Sequence, residues 1–356
     1  MDGMTNNDRL IRWIQRRAEG FRGDIAVIAA YGSYINGTAN PRSDVDCYFV
    51  PKTERGGKFA ATFILAGVGY DIFPMNWARL ERIADLRDPL TPLVGDVRLL
   101  YCDTEADLER FGRLQQALRD NLNDPARARA AAKERYALAR ALYAGMAHTR
   151  GLTGARVLAG RILMALADAA AAWNQEYFHF GLKRQFADLQ RFQNMPAQFT
   201  DDYLRVIQAE SEAQTAAACA SLLASFSAYT GWDAPVPGGP PAEQPQAAAQ
   251  AGAAPNPCYA SLAGLYEEIR SSFQKIYACR ESGDAVLAFL CAACLQSELM
   301  EISREYDFFH AYRFGDLQPL ASAAEKAENA LVRSIEAAGG RIKRYADFAA
   351  FEQAAL

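Results

Sequence analysis

Residues 29–50 read AAYGSYINGTANPRSDVDCYFV, and this stretch decides the fold of the first part of the chain. Its pattern predicts a strand over residues 24–31 that ends at Gly32 and Ser33, a polar loop, and a second strand over residues 44–50. Asp44 and Asp46 open the second strand. Because the side chains of a strand alternate between its two faces, we expect both carboxylates on the same face.

The acid pair points to a metal and phosphate site. Two neighbouring carboxylates repel each other, and a cation between them removes the repulsion. Mg²⁺ prefers such oxygen ligands, together with water and substrate phosphates. A turn with Gly32 and Ser33 after a strand presents backbone N–H groups and a hydroxyl to phosphate oxygens.

A third acid, Asp71, lies on a short predicted strand over residues 69–74, where the sequence reads GYDIFP. The alternation places its carboxylate on the face opposite Tyr70 and Ile72. Two metal ions held by three carboxylates can clamp the attacking and leaving oxygens of a phosphoryl displacement. The alternative is structural, with Asp44 capping a turn and Asp46 and Asp71 facing solvent.

The spacing of these residues resembles that of the DNA polymerase beta-like nucleotidyltransferase superfamily. Its signature is Gly-Ser, a spacer of about the present length, then Asp-hydrophobic-Asp, as in Asp44-Val45-Asp46, and a later acid, as Asp71 here. The resemblance implies a small mixed sheet with the acids on one face and two Mg²⁺ ions. It also implies transfer of a nucleoside monophosphate from an NTP such as ATP, with release of pyrophosphate.

The layout of a small N-terminal catalytic unit followed by helices looks most like the antibiotic nucleotidyltransferases. These enzymes transfer AMP to hydroxyls of aminoglycosides or lincosamides. Residues 173–180 together with Lys183 also resemble segments of their helical domain. Some of them take the general base from a helical-domain glutamate, for which Glu134 and Glu176 are candidates here. Asp71 is the other candidate for the base.

Two basic residues lie near the predicted site. Arg42 precedes the acid pair, and Lys58 ends a stretch over residues 51–58 with the turn chemistry of a hairpin. Either side chain is a candidate for contact with the triphosphate. Each can equally be a solvated surface charge.

The predicted architecture is α+β, with a small mixed-sheet nucleotidyltransferase domain over residues 1–105. Alanine, leucine and charged residues then recur at helical spacing and predict a helical acceptor-binding domain over residues 106–230. One helix of it is expected over residues 201–229. Residues 231–257 read as a linker rich in Pro, Gly and Ala, and residues 258–356 as a C-terminal helical domain.

Composition limits the partners and the compartment. The net charge of −4 provides no global positive field for long nucleic acid, so a small or cationic partner is favoured. No apolar run approaches the ~20 residues of a membrane span. The 7 cysteines are an odd number scattered through a long chain, as in a reducing cytoplasm.

Other functions stay open alongside transfer to a small antibiotic-like molecule. The acceptor hydroxyl can instead belong to a protein, which would make the chain a protein AMPylase. Arg304 and His310 have a spacing that occurs in the helical HEPN domains of toxin–antitoxin pairs, so a toxin–antitoxin type nucleotidyltransferase is a further alternative. A non-catalytic interaction protein with a nucleotide-binding fold is the last one.

Overall fold

The computed structural model describes residues 4–39, 43–233 and 259–355. These residues form a six-stranded mixed sheet, built mainly near the N-terminus, followed by helices. The predicted α+β class is thereby confirmed. Arg42 and residues 234–257 of the predicted linker lie outside the described residues, and the division into domains stays a prediction.

The sheet combines parallel and antiparallel pairs in the order β5-β1-β2-β4-β3-β6. β1 pairs antiparallel with β2 and β5, β3 pairs antiparallel with β4, and the β2–β4 and β3–β6 pairs are parallel. The strands are β1 (Ile25–Tyr31), β2 (Asp46–Pro51), β3 (Ala61–Leu65), β4 (Val68–Pro74), β5 (Arg98–Cys102) and β6 (Arg344–Tyr345).

A two-residue hairpin loop joins β3 to β4. The prediction of a hairpin over residues 51–58 is wrong. The turn between β3 and β4 uses Ala66 and Gly67, whose φ angles of 49° and 82° suit a two-residue hairpin loop. Residues 51–58 instead hold a short helix, α2 (Glu54–Gly57). Because β4 occupies the place beside β2, the chain cannot fold straight back and passes through α2 to β3.

One face of the sheet carries the acids, and we call it the acid face. Asp46 and Tyr48 of β2 lie on it beside Asp71 and Phe73 of β4, and the rings of Tyr48 and Phe73 are 6.2 Å apart. On β3, Thr62 lies opposite Asp71. The alternation predicted for these strands therefore places the polar side chains together on one side.

The other face of the same strands is apolar. Cys47, Phe49 and Ile72 pack there in one core with Leu10 and Ile14. The last two belong to α1 (Asn6–Glu19), which begins with a capping box between Thr5 and Asp8. This packing holds β2 and β4 in a fixed register and thereby fixes the acids on the opposite side.

Helices make up most of the remaining chain. Short helices follow the early strands, and long ones fill the region after β5. They are α3 (Trp77–Ala84), α4 (Pro92–Gly95), α5 (Glu105–Asn123), α6 (Pro125–Met146), α7 (Leu152–Trp173), α8 (Leu182–Leu189), α9 (Phe199–Gln208), α10 (Glu212–Thr230), α11 (Ala263–Ser282), α12 (Ala285–Ile302), α13 (Gln318–Ala337) and α14 (Phe348–Ala355), with 3₁₀ turns at Tyr259–Leu262, Arg304–Tyr306 and Phe309–Ala311.

The helix predicted over residues 201–229 is two helices, α9 and α10. The chain leaves the helical conformation at Ala209, and Ser211 then starts α10 by accepting a hydrogen bond of 3.2 Å from the backbone N–H of Gln214. An N-capping serine ends one helical pattern and begins the next. The helical spacing of the sequence does not reveal such a break because the apolar positions continue on both sides.

The helices before and after the linker pack in one core. α7 and α12 approach closely at Gly160, where an added Cβ would lie 2.3 Å from the Cβ of Ala293. α12 is long and apolar enough to span a membrane by composition, but 56% of it is buried inside the protein. A buried core helix passes the same test of length and composition.

The C-terminal segment returns to the N-terminal sheet. β6 pairs with β3, and α14 follows it. Phe351 of α14 stacks on Phe63 with ring centroids 4.4 Å apart and contacts Trp13 of α1 at 5.0 Å. The first and last parts of the chain are thus joined through one sheet.

Candidate active site

A cavity of about 570 Å³ lies between the acid face and the C-terminal helices α11 and α12. α11 crosses β4 at Gly69, where an added Cβ would lie 2.9 Å from both the Cβ of Arg270 and the carbonyl oxygen of Glu267. Glycine is required here by close backbone approach, because any side chain would push the helix away. The C-terminal segment is therefore a wall of the candidate site.

All three predicted acids, Asp44, Asp46 and Asp71, line this cavity. Asp46 is the first residue of β2, and Asp71 lies on the adjacent parallel strand β4, one residue before the partner of Cys47. Asp44 precedes β2 by two residues, so the predicted strand begins later than expected. Strand register thus brings together two acids that are distant in sequence.

Burial disfavours the charge of all three carboxylates, and the charge of Asp44 adds to this effect at Asp46 and Asp71. Burial, together with the charge of Asp44, raises the pKa of Asp46 to about 7. Burial also raises the pKa of Asp44. The pKa of Asp71 is raised by burial and by Asp44, although the Thr62 hydroxyl donates a 2.8 Å hydrogen bond to its carboxylate and opposes the shift. Such a set of carboxylates gains most from a bound cation.

Gly32 makes room for Asp46. Its φ is +79°, a conformation that favours glycine, and an added Cβ would lie 2.1 Å from Oδ2 of Asp46. The glycine of the predicted motif therefore has a second role beyond the turn, since it lets the chain pass directly beside the carboxylate.

Ser33 lies in a tight turn after β1. The carbonyl of Ser33 accepts a 2.9 Å hydrogen bond from the N–H of Thr38, and the carbonyl of Gly32 accepts bonds of 3.1 Å from Ile35 and Asn36. Lys183 of α8 donates from Nζ to the carbonyl of Thr38. A residue of the helical region thus contacts the predicted phosphate-binding turn.

The predicted basic residues differ in their placement. Lys58 is exposed at the end of α2, and its carbonyl accepts a 3.0 Å hydrogen bond from Arg17 of α1. Arg42 lies outside the described residues. Arg79 of α3 is a basic residue that lines the cavity, and its Nε is 3.1 Å from Asp88. The motif pattern does not identify Arg79 because it lies on a helix after the last acid.

Sequence reasoning missed the contribution of α11. Glu268, Ser271 and Ser272 line the cavity, and Lys275 lies one turn further on the same side. Their spacing is that of one helical face. This polar stripe is visible in the sequence, but nothing there shows that it faces the acids rather than solvent. Glu298 of α12 also lines the cavity.

The other candidates of the sequence lie elsewhere. Glu134 is exposed on α6, and Glu176 is exposed 4.0 Å from the ring of His179. Arg304 and His310 are exposed on separate 3₁₀ turns, and His310 lies 3.4 Å from Asp307.

The donor chemistry of the acids fits Mg²⁺. They are hard oxygen ligands on one face of a cavity that also has room for water and phosphate oxygens. Within residues 4–39, 43–233 and 259–355, no three His, Cys, Asp or Glu side chains are gathered into a ready-made metal cage. The fit therefore depends on the carboxylates' shared face and on their raised pKa values.

Compared with models of known protein families and with curated proteins, the chain matches none. Function is therefore inferred from the residues of the site itself.

Proposed function

We propose that the protein is a Mg²⁺-dependent nucleotidyltransferase that moves a nucleoside monophosphate, AMP from ATP, onto a hydroxyl of a small molecule. The observation that carries this proposal is the convergence of Asp44, Asp46 and Asp71 in one cavity beside the turn of Gly32 and Ser33. This arrangement suits phosphoryl transfer, which is catalysed mainly by positioning and charge neutralisation.

The residues of the site have different roles in the proposed reaction. Asp44, Asp46 and Asp71 would hold two Mg²⁺ ions, which when bound neutralise phosphate charge. The turn at Gly32 and Ser33 binds the β- and γ-phosphates through backbone N–H groups and the hydroxyl. Asp71 is also placed to accept the proton of the attacking hydroxyl.

We call the side of the cavity formed by α11 and α12 the helix wall. Its charges favour binding of an acceptor that carries amino groups, as an aminoglycoside-like antibiotic does. Glu268 and Glu298 line the cavity beside the acids. Burial raises the pKa of both, Asp71 adds to the shift of Glu268, and Glu268 adds to that of Glu298. A bound cationic group relieves this repulsion. We place the enzyme in the cytoplasm, because the cysteines of the described residues are free thiols.

The test is incubation of the protein with Mg²⁺ and α-labelled ATP in the presence of panels of antibiotics and of proteins. We expect pyrophosphate release and label on an amine-bearing small molecule. Asp46→Asn should lower the rate by about a thousandfold or more, because it removes a metal ligand. Asp85→Asn is the matched control, since Asp85 is an exposed acid paired with Arg87 at 2.6 Å.

The outcomes separate the alternatives. Label on a protein would identify an AMPylase instead. If Asp46→Asn releases pyrophosphate as fast as the wild type, the mechanism is wrong. Absence of Mg²⁺-dependent ATP binding by calorimetry, with a stable protein complex recovered from cells, would favour a non-catalytic interaction protein.

A further inference from the structure

Lys275 lies on the polar face of α11 that lines the candidate site. The helix places it three and four residues after Ser272 and Ser271, which line the cavity with Asp44 and Asp46. Residues at this spacing share one helix face. Lys275 is therefore an exposed cation on the face of α11 that lines the cavity, one turn beyond the lining residues.

The charges of Lys275 and the acids act on each other. The ammonium lowers the pKa values of Asp44 and Asp46 against the effect of burial. Burial lowers the pKa of Lys275, but Asp46 and Asp44 outweigh it and leave that pKa raised. Within the part of the chain that the structure describes, Lys275 makes no direct ion pair, so the charges act across the cavity.

The helix that carries Lys275 is held in place from its other side. Glu328 of α13 is buried and accepts hydrogen bonds from the Tyr266 hydroxyl at 2.8 Å, from Arg270 at 2.6 Å and from the Tyr277 hydroxyl at 2.7 Å. Those three residues belong to α11. The backbone of Lys275 is thus fixed, and only its side chain can follow a change of charge in the cavity.

We propose that Lys275 is the resident counter-ion of Asp44 and Asp46 and that it couples metal binding to nucleotide binding. Without nucleotide, the ammonium opposes the entry of Mg²⁺ into the acid pair. The phosphates of a nucleoside triphosphate give the ammonium an anionic partner and remove this opposition. The inference rests on the proposed function, because it takes the acids as metal ligands and a nucleotide as substrate.

The experiment measures Mg²⁺ affinity by calorimetry, with and without a non-hydrolysable ATP analogue. Lys275→Met should bind Mg²⁺ about fivefold more tightly than the wild type when no nucleotide is present, the effect of one charge near a solvated site. The ATP analogue should strengthen Mg²⁺ binding by a smaller factor in Lys275→Met than in the wild type. By linkage, Mg²⁺ should strengthen binding of the analogue less in the variant than in the wild type.

Two variants serve as controls. Lys275→Arg keeps the charge and should behave as the wild type. Lys326→Met makes the same change at an exposed position of α13 and should leave Mg²⁺ affinity unchanged. A merely structural role of Lys275 would weaken Mg²⁺ binding or leave it unaltered, and either result with Lys275→Met overturns the inference.

Failure of the proposed function gives a different result. If Asp46→Asn binds Mg²⁺ as tightly as the wild type, the acids are not metal ligands, and the proposed function fails together with this inference. If Asp46→Asn loses the metal while Lys275→Met does not gain affinity, the inference alone is wrong.

Discussion

The two walls of the cavity differ in how their charges are held. On the sheet wall, Asp46 and Asp71 are fixed by the register of β2 and β4, with an apolar core directly behind them. On the helix wall, Glu268 and Glu298 project from α11 and α12 and are exposed to the cavity. A rigid wall suits the atoms that react, while a solvated wall suits recognition of a variable acceptor. We therefore expect substitutions on the sheet wall to abolish nucleotidyl transfer and substitutions on the helix wall to alter substrate binding.

Of the substitutions at Gly32, Gly69 and Glu298, Gly32→Ala on the sheet wall is expected to have the largest effect. Gly32→Ala places a Cβ where Oδ2 of Asp46 lies, at 2.1 Å, so the carboxylate must move. A displacement of about 1 Å at a reacting centre can lower the rate about a hundredfold. Pyrophosphate release under saturating ATP and Mg²⁺ measures this loss.

Gly37→Ala is the matched control for Gly32→Ala. Gly37 lies in the same turn with a φ of +77°, but nothing lies within 4 Å of an added Cβ. Both substitutions carry the backbone strain of a left-handed residue, about 1 kcal/mol. Equal losses of activity in the two variants would show that the contact with Asp46 does not matter.

The next effect concerns the junction of the two walls. Gly69→Ala should push α11 away from β4, because the new Cβ meets backbone and Cβ atoms at 2.9 Å rather than a flexible side-chain end. We expect a loss of about 1–3 kcal/mol in the free energy of unfolding. Urea titration measures it. Gly264→Ala in α11 itself has open space and should cost nothing, so equal destabilisation of both would contradict the docking argument.

The two walls also differ in how far the sequence predicts them. Asp44 and Asp46 can be placed together because strand alternation is a local property of the chain, and the resemblance to a known motif adds Asp71 to them. Lys275 cannot be placed with them, since its position depends on the docking of α11 at Gly69 across about two hundred residues of sequence. Helical periodicity predicts which face of α11 is polar, but it does not predict which part of the chain that face lies against.

A smaller effect is expected on the helix wall. Glu298→Gln removes one charge from the acceptor side and should raise KM for an amine-bearing acceptor about fivefold, as one solvated ion pair is worth about 1 kcal/mol. The KM for ATP should stay the same. Steady-state kinetics with each substrate varied in turn measures both constants.

Glu325→Gln serves as the control for Glu298→Gln, because Glu325 is exposed on α13 and does not line the cavity. An unchanged KM for the acceptor in Glu298→Gln would remove the charge argument for a cationic acceptor. A raised KM for ATP in that variant would instead place the nucleotide against the helix wall.

The smallest effect is on stability, and it has a definite dependence on pH. Burial and the charge of Asp44 raise the pKa of Asp46 to about 7, so the folded protein keeps this proton to a higher pH than the unfolded chain does. The contribution of Asp46 to stability is therefore present at low pH and is lost as the pH rises from about 4 to about 7. Asp46→Asn stays uncharged throughout. Without metal it should be more stable than the wild type at pH 8, with the difference vanishing near pH 4.

Urea titrations in EDTA at pH 4, 6 and 8 measure this difference, with Asp85→Asn as the exposed control. Added Mg²⁺ should stabilise the wild type and not the variant, because only the wild type keeps the full set of carboxylates. A variant that is less stable than the wild type at pH 8 in EDTA would mean that the carboxylate of Asp46 is favourably placed without a metal. The sheet wall would then be a structural feature, and the division of roles between the two walls would be lost.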